Sequence, residues 1–187
     1  MIRSLWHRWR AARGREGRAA AYVAALIAEP PAADVAWLTE HGTGGDADHA
    51  RWELRYARRA LGMVTAQRDA LDDRTASEVA RALEEAMNAD PVVAPDRRRI
   101  ASRQLNARLR AYAEAVDRHE APGTGHHLGR ALLDFAGRSA PANEELIASA
   151  GDIASRYLEE ANLALRDCYG AAALPEDVAP SAMVAKR

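Results

Sequence analysis

The longest hydrophobic pattern in the chain runs from Asp46 to Asp72 and contains two apolar rows. One row recurs every three or four residues and consists of Ala50, Leu54, Ala57, Leu61 and Val64. The other row consists of Trp52, Tyr56, Met63, Ala66 and Ala70. The two rows point in nearly opposite directions on a helix of about 3.6 residues per turn. Because a helix with two apolar faces must be covered on both, the pattern predicts a central helix between partners, which are either helices of this chain or another protein.

Charged residues fill the flanks between these two rows. His49 and Glu53 lie on one flank, and Arg51, Arg55 and Arg58 lie on the other. Acidic and basic side chains are rarely buried unless they are paired. We therefore expect His49 and Glu53 to lie on a solvated face of the central helix.

Helical periodicity also covers most of the remaining chain. It predicts helices over residues 1–13, 18–29, 32–40, 75–87, 96–119, 126–137 and 141–169. The last of these has two apolar rows and is predicted to be a second inner helix. Alanine is abundant and β-branched residues are sparse, which favours helix and gives no convincing strand.

Several short signals set the expected helix ends. Asp46 is predicted to cap the central helix, and Gly42 to end the preceding helix in a left-handed conformation. The sequence Thr75-Ala-Ser-Glu78 fits a capping box. Pro141 is expected in the first turn of the last helix.

The predicted fold is all-α, a single irregular bundle of about seven helices with a basic amphipathic N-terminal helix and an extended C-terminal tail. The predicted division is a docking segment over residues 1–17, a helical bundle over residues 18–170 and a tail over residues 171–187. A length of 187 residues is enough for one domain with a sizeable core.

Composition narrows the functional classes without choosing one. The net charge is −1, so no overall field draws the chain to nucleic acid. The lone cysteine, Cys168, cannot form an internal disulfide, and no apolar run approaches the roughly 20 residues of a membrane-spanning helix. The single Lys beside 25 Arg is typical of a GC-rich genome, and we expect a bacterial source and a cytoplasmic location, peripheral to the membrane.

No catalytic or metal-binding motif emerges from the sequence. His49 and Glu53 share a helical face, but two ligands are fewer than the three or four that a stable metal site requires. His126 and His127 are adjacent on a helix and diverge by about 100°. We expect no catalytic residues, no cofactor and no metal, and an enzyme or metal carrier using His49, Glu53 and the His126 region is the weakest alternative.

The arginines from Arg97 to Arg110 raise a second functional hypothesis. They follow one helix, as in a helix that tracks a phosphate backbone. The same helix also carries Asp96, Glu114 and Asp117, and no aromatic residue lies among the arginines to stack on a base. A solvated helical face is favoured over a nucleic-acid-binding regulator, and we expect no nucleic-acid partner.

The N-terminal segment carries the main functional prediction. A basic helix with an apolar face is typical of segments that lie in a membrane interface or dock into a protein groove. The predicted binding residues are Ile2, Arg3, Leu5, Trp6, Arg8, Trp9 and Arg10. The alternative, that Trp6 and Trp9 cover the chain's own core, remains equally open.

These observations predict a non-enzymatic helical interaction protein, a peripheral structural or accessory subunit attached to a membrane or membrane-bound complex. An energy-transducing complex is one such host, although no residue singles it out. The expected partner is a protein of that complex or the membrane surface. The sequence does not indicate an oligomeric state.

Overall fold

The computed structural model describes residues 14–69, 73–138 and 142–170, and within these ranges the chain is helical and has no strand. The all-α prediction is confirmed. In chain order the helices are α1 (Arg15–Leu26), α2 (Ala32–His41), α3 (Ala47–Asp69), α4 (Asp73–Asn88), α5 (Arg98–Asp117), α6 (Thr124–Phe135) and α7 (Glu144–Tyr169), with a 3-10 turn at Pro95–Arg97 before α5.

Helix α3 is the central helix of the bundle and contacts every other α-helix of the described chain. All of its residues from 59 to 66 are buried, which covers two turns on every side. Leu61 and Met63, one from each predicted row, are 0% and 4% exposed. The prediction of a helix covered on both faces is confirmed, although Trp52 is only half-buried and Ala70 lies outside the described residues.

Helices α6 and α7 approach each other so closely that only glycine fits at their contact. A Cβ added at Gly129 would overlap the carbonyl oxygen of Ile147 and lie 2.7 Å from the backbone nitrogen of Gly151. A Cβ added at Gly151 would overlap the carbonyl oxygen of Gly125. Since these obstacles are backbone atoms, rotation of a side chain cannot relieve them, and the two helices pack backbone to backbone.

Two helix starts have a clear structural basis. The Asp46 side chain accepts a hydrogen bond from the His49 amide at 2.9 Å, so Asp46 caps α3 as predicted. Asn143 caps α7 by accepting from the Leu146 amide at 2.9 Å, and Glu144 and Glu145 follow at the positive end of the helix. Pro141, which was expected in the first turn, lies outside the described residues.

Two local predictions are wrong. Gly42 has φ −111°, not a left-handed conformation, and a Cβ at this position would lie 3.1 Å from that of Ala136. A side chain there would crowd Leu38 and Ala136, so glycine suits the close packing at this position. The capping box is also wrong, because α4 already includes Asp73 and Thr75 is therefore inside the helix.

The predicted N-terminal helix over residues 1–13 and the predicted tail over residues 171–187 lie outside the described residues. Helix α1 begins at Arg15, directly after that segment. The division into docking segment, bundle and tail therefore stays a prediction.

Candidate interaction groove

An open groove of about 440 Å³ lies between α3, the loop after α4 and the first turn of α5. We call it the Trp52 groove. It is lined by Trp52, Tyr56, Val92, Val93, Ala94, Arg97, Ile100 and Ala101. All but one of these residues are apolar or aromatic, and the charged one is Arg97.

Two of the four large hydrophobic side chains that are exposed in the described ranges lie in this groove. In the described part of the chain, the large hydrophobic residues that remain exposed are Ile27, Val92, Ile100 and Leu163. Val92 is 60% exposed and Ile100 is 49% exposed, and both line the Trp52 groove. Contiguous exposed apolar surface of this kind marks binding sites more often than single scattered residues do.

The Trp52 side of the groove is held by an arginine stacked on the indole. The Arg55 guanidinium lies 4.8 Å from the centre of the Trp52 ring. Glu29 fixes that guanidinium through two hydrogen bonds, from Nε at 3.2 Å and from Nη2 at 2.5 Å. The charge of Arg55 is therefore already neutralised by Glu29.

A buried ion pair lies beneath the floor of the groove. Arg108 donates from Nε to Glu53 Oε2 at 2.9 Å and from Nη2 to Glu53 Oε1, and both residues are buried. The guanidinium also lies 5.0 Å from the Tyr56 ring centre and 4.4 Å from that of Phe135. The expected solvated position of Glu53 is wrong, because Arg108 supplies the partner that allows its carboxylate to be buried.

A second ion pair positions the loop that carries Val92. Buried Arg59 lies 3.3 Å from Asp90, donating from Nη2 to Oδ2. The other carboxylate oxygen of Asp90 accepts a hydrogen bond from the Val92 amide at 3.0 Å. The wall of the groove is thus tied to the most buried part of α3.

Tyr56 contributes a neutral surface to the floor. Burial raises the pKa of its phenol, while the nearby Arg108 and Arg59 guanidinium groups lower it less strongly. With a pKa above the ordinary value of about 10, the phenol stays protonated at neutral pH. Arg97 therefore remains the charged group that faces the groove.

The structure separates the residues of the metal hypothesis. His49 Nε2 lies 3.6 Å from Glu53 Oε1, but that carboxylate is already bonded to Arg108. His126 Nδ1 lies 3.3 Å from Glu144 Oε2, where α6 and α7 begin. Across residues 14–69, 73–138 and 142–170, no three His, Cys, Asp or Glu residues are grouped as metal ligands.

Cys168 lies near the end of α7 and is half-buried. Burial raises the pKa of its thiol, and the neighbouring Asp167 carboxylate raises it further. A raised pKa leaves little thiolate at neutral pH, which is the opposite of what a nucleophilic cysteine needs. Cys168 packs against the hydrophobic core, which fits a packing role rather than a reactive one.

One arginine in the range of the nucleic-acid hypothesis is not on the surface. Arg108 is buried against Glu53 and cannot contact a phosphate. Arg97, Arg99, Arg103 and Arg110 are exposed. That hypothesis therefore loses one of its named residues and keeps the exposed ones.

The groove itself was not predicted from the sequence. Val92 and Val93 lie in a loop between two prolines, and a loop gives no periodic signal. The pairs from Glu53 to Arg108 and from Arg59 to Asp90 join residues that are distant in the sequence. The one available signal was the Trp52 and Tyr56 row, which was predicted to meet either the chain's own helices or another protein.

Comparison with known proteins assigns no relative to this chain. No family model matches the sequence, and no curated protein or solved structure shows significant similarity to it. Among the described helices, none combines the length and apolar character needed to cross a membrane.

Proposed function

We propose that this chain is a non-enzymatic interaction protein, a helical bundle that binds another protein through its surface. The observation that carries this proposal is the Trp52 groove, which exposes Val92 and Ile100 and whose Val92 loop is tied to α3 by the ion pair between Arg59 and Asp90. Exposed Val92 and Ile100 serve no purpose in the core of an isolated bundle. Their position beside Trp52 and Tyr56 gives a partner a contiguous apolar surface.

The finer proposal places the chain as a peripheral subunit on a membrane or membrane-bound complex, for example an energy-transducing one. It rests on the segment Met1–Arg13, whose apolar positions are Ile2, Leu5, Trp6 and Trp9 and whose arginines suit anionic lipid or an acidic protein. This segment precedes α1 directly, so anchoring it would bring the bundle to the same surface.

The test is to express the full chain with a C-terminal tag in its native source and quantify the co-purifying proteins and the membrane-bound fraction. The variants are Trp6→Ser with Trp9→Ser, and Ile100→Asp as a groove variant. Burying a large apolar side chain contributes about 1.5–3 kcal/mol. Each variant should therefore weaken association, while the thermal midpoint of the purified protein changes little.

The matched control is Leu163→Asp, which changes another exposed hydrophobic residue, on α7. It should leave association intact. If the Trp6 and Trp9 variant instead loses much of its stability and keeps its partners, the N-terminal segment covers the chain's own core. Recovery of a catalytic activity from the purified chain would contradict the non-enzymatic proposal.

A second candidate function is nucleic-acid binding through the exposed arginines of α5. If Arg97, Arg99 and Arg103 neutralised phosphates, affinity would fall steeply with added salt, because each contact releases counterions. We expect no binding at physiological salt in a fluorescence assay with labelled duplex and single-stranded DNA. Tight binding that these substitutions abolish would make the second candidate the leading one.

A further inference from the structure

We propose that the Trp52 groove binds a segment of a partner protein that presents large apolar side chains beside a carboxylate. This inference rests on the proposed interaction function and adds the chemistry of the segment. Its apolar groups would occupy the space between Trp52 and Ile100, and its Asp or Glu would pair with Arg97.

The apolar part of this inference follows from what lines the groove. A volume of about 440 Å³ lies within the range of about 300–1,000 Å³ that ligand sites occupy. Trp52 and Tyr56 form one side, with ring centres 5.8 Å apart, and Val92 and Ile100 form the other. Paired aromatic rings facing branched aliphatic side chains suit aliphatic or aromatic anchors of a peptide.

The charged part follows from how the arginines around the groove are paired. Arg55 is bonded to Glu29, and Arg59 to Asp90. Arg97 is exposed and forms no ion pair with any other residue in the described ranges. It also lies at the N-terminal end of α5, where the helix dipole favours a negative charge. A carboxylate on the occupant is the complement of this arrangement, because a guanidinium binds a carboxylate through two parallel hydrogen bonds.

The recessed position of the aromatic rings favours a peptide over an anionic lipid surface. Trp52 is half-buried and Tyr56 is 8% exposed, so both rings lie inside the groove. A flat layer of lipid headgroups would not reach them. Single side chains of a peptide can enter the groove while a neighbouring carboxylate meets Arg97.

The groove is also formed before a partner arrives. Asp90 holds the Val92 amide, and Glu29 holds Arg55 against the indole. The protein therefore has little left to order when a segment binds, and most of the ordering cost falls on the peptide.

The experiment uses the full chain, immobilised through its C-terminus, and a random peptide library displayed on phage. Selection on the wild type is followed by removal of phage that also bind Ile100→Asp. The expected result is enrichment of peptides that carry large apolar residues next to Asp or Glu. Synthetic peptides from this pool should bind the wild type with an affinity that falls about tenfold or more in Arg97→Glu, the loss expected for a charge-assisted pair.

Matched controls separate the groove from a general surface effect. Leu163→Asp and Arg110→Glu change an exposed hydrophobic residue and an exposed arginine away from the groove. Both should bind the selected peptides as the wild type does. A peptide whose acid is replaced by arginine should regain binding to Arg97→Glu. Enrichment of basic or uncharged peptides, binding that ignores Arg97→Glu, or no enrichment over Ile100→Asp would each overturn the inference.

The outcome is distinguishable from that of the proposed function. If native partners are recovered but no acidic apolar peptide is selected, the function stands and this assignment of the groove fails. If the groove selects such peptides but no association is found in the native source, the groove chemistry stands and the proposed subunit role fails.

Discussion

Replacing Arg108 by methionine should be among the most damaging single changes to this bundle. Arg108 lies 6% exposed and is bonded to a buried carboxylate, Glu53. Methionine keeps an apolar stem of similar length but removes the charge, so the Glu53 carboxylate would stay buried beside His49 alone. Breaking a buried pair by removing one partner typically costs about 3–5 kcal/mol.

This cost translates into a measurable thermal shift. For a chain of this size, 1 kcal/mol corresponds to about 2–4 °C in the unfolding midpoint, so Arg108→Met should lower it by about 6–20 °C. Urea denaturation followed by far-ultraviolet circular dichroism gives the free energy of unfolding directly. The control is Arg110→Met on the same helix, where an exposed arginine is lost and the change should stay within about 0.5 kcal/mol.

The double variant distinguishes a lost attraction from a stranded charge. Glu53→Leu with Arg108→Met removes both charges, and replacing a buried pair by apolar residues is often neutral or stabilising. We therefore expect the double variant to be clearly more stable than Arg108→Met alone. If Arg108→Met lowers the free energy of unfolding by less than about 1 kcal/mol, the pair is not buried and coupled as described. A double variant no more stable than Arg108→Met would refute the same claim.

Two further predictions concern packing and pH. Gly129→Ala should destabilise the protein by about 1–3 kcal/mol in urea denaturation, because the added methyl group meets backbone atoms of α7. Gly125→Ala, whose Cβ would lie 3.7 Å from a serine hydroxyl, should be tolerated. Equal losses of stability in the two variants would contradict the close crossing of α6 and α7. Burial raises the pKa of Tyr22, Tyr112 and Tyr157 in the folded protein. As the pH rises, the unfolded chain therefore loses these protons at a lower pH than the folded protein does. The contribution of these tyrosines to stability should be fully present below about pH 10 and fall above it. The urea midpoint should therefore decline above about pH 10, and it should decline less in Tyr157→Phe. A midpoint that does not change with pH in this range would contradict the prediction.

The architecture was predictable because it depends on local periodicity. Spacings of three and four residues indicated where the helices lie, and the second row on α3, with Tyr56 and Met63, indicated that it is covered on two sides. Helix ends were less predictable, because a cap depends on one or two residues. Asp46 caps α3 as predicted. Thr75 lies inside α4 and is not a cap, and Gly42 allows close packing without a left-handed conformation.

The groove was not predictable, because it depends on pairs that are distant in sequence. Single-sequence patterns assign a charged residue to solvent, and this rule fails for Glu53, Arg59 and Arg108, which find partners 31 to 55 residues away. Val92 gives no signal, since one apolar residue in a loop is common. The tertiary fold brings these residues together, and no local pattern records their proximity.

The position of α3 has a consequence for hydrogen exchange. Because every other described α-helix packs on it, its amides cannot meet solvent through the detachment of a single neighbour. The amides of residues 59–66 should exchange with deuterium only when the whole bundle opens. The free energies of opening calculated from their protection factors should therefore equal the global free energy of unfolding. Amides near the helix ends at the surface should exchange through smaller local openings. One helix in the middle of the chain therefore reports the stability of the entire fold.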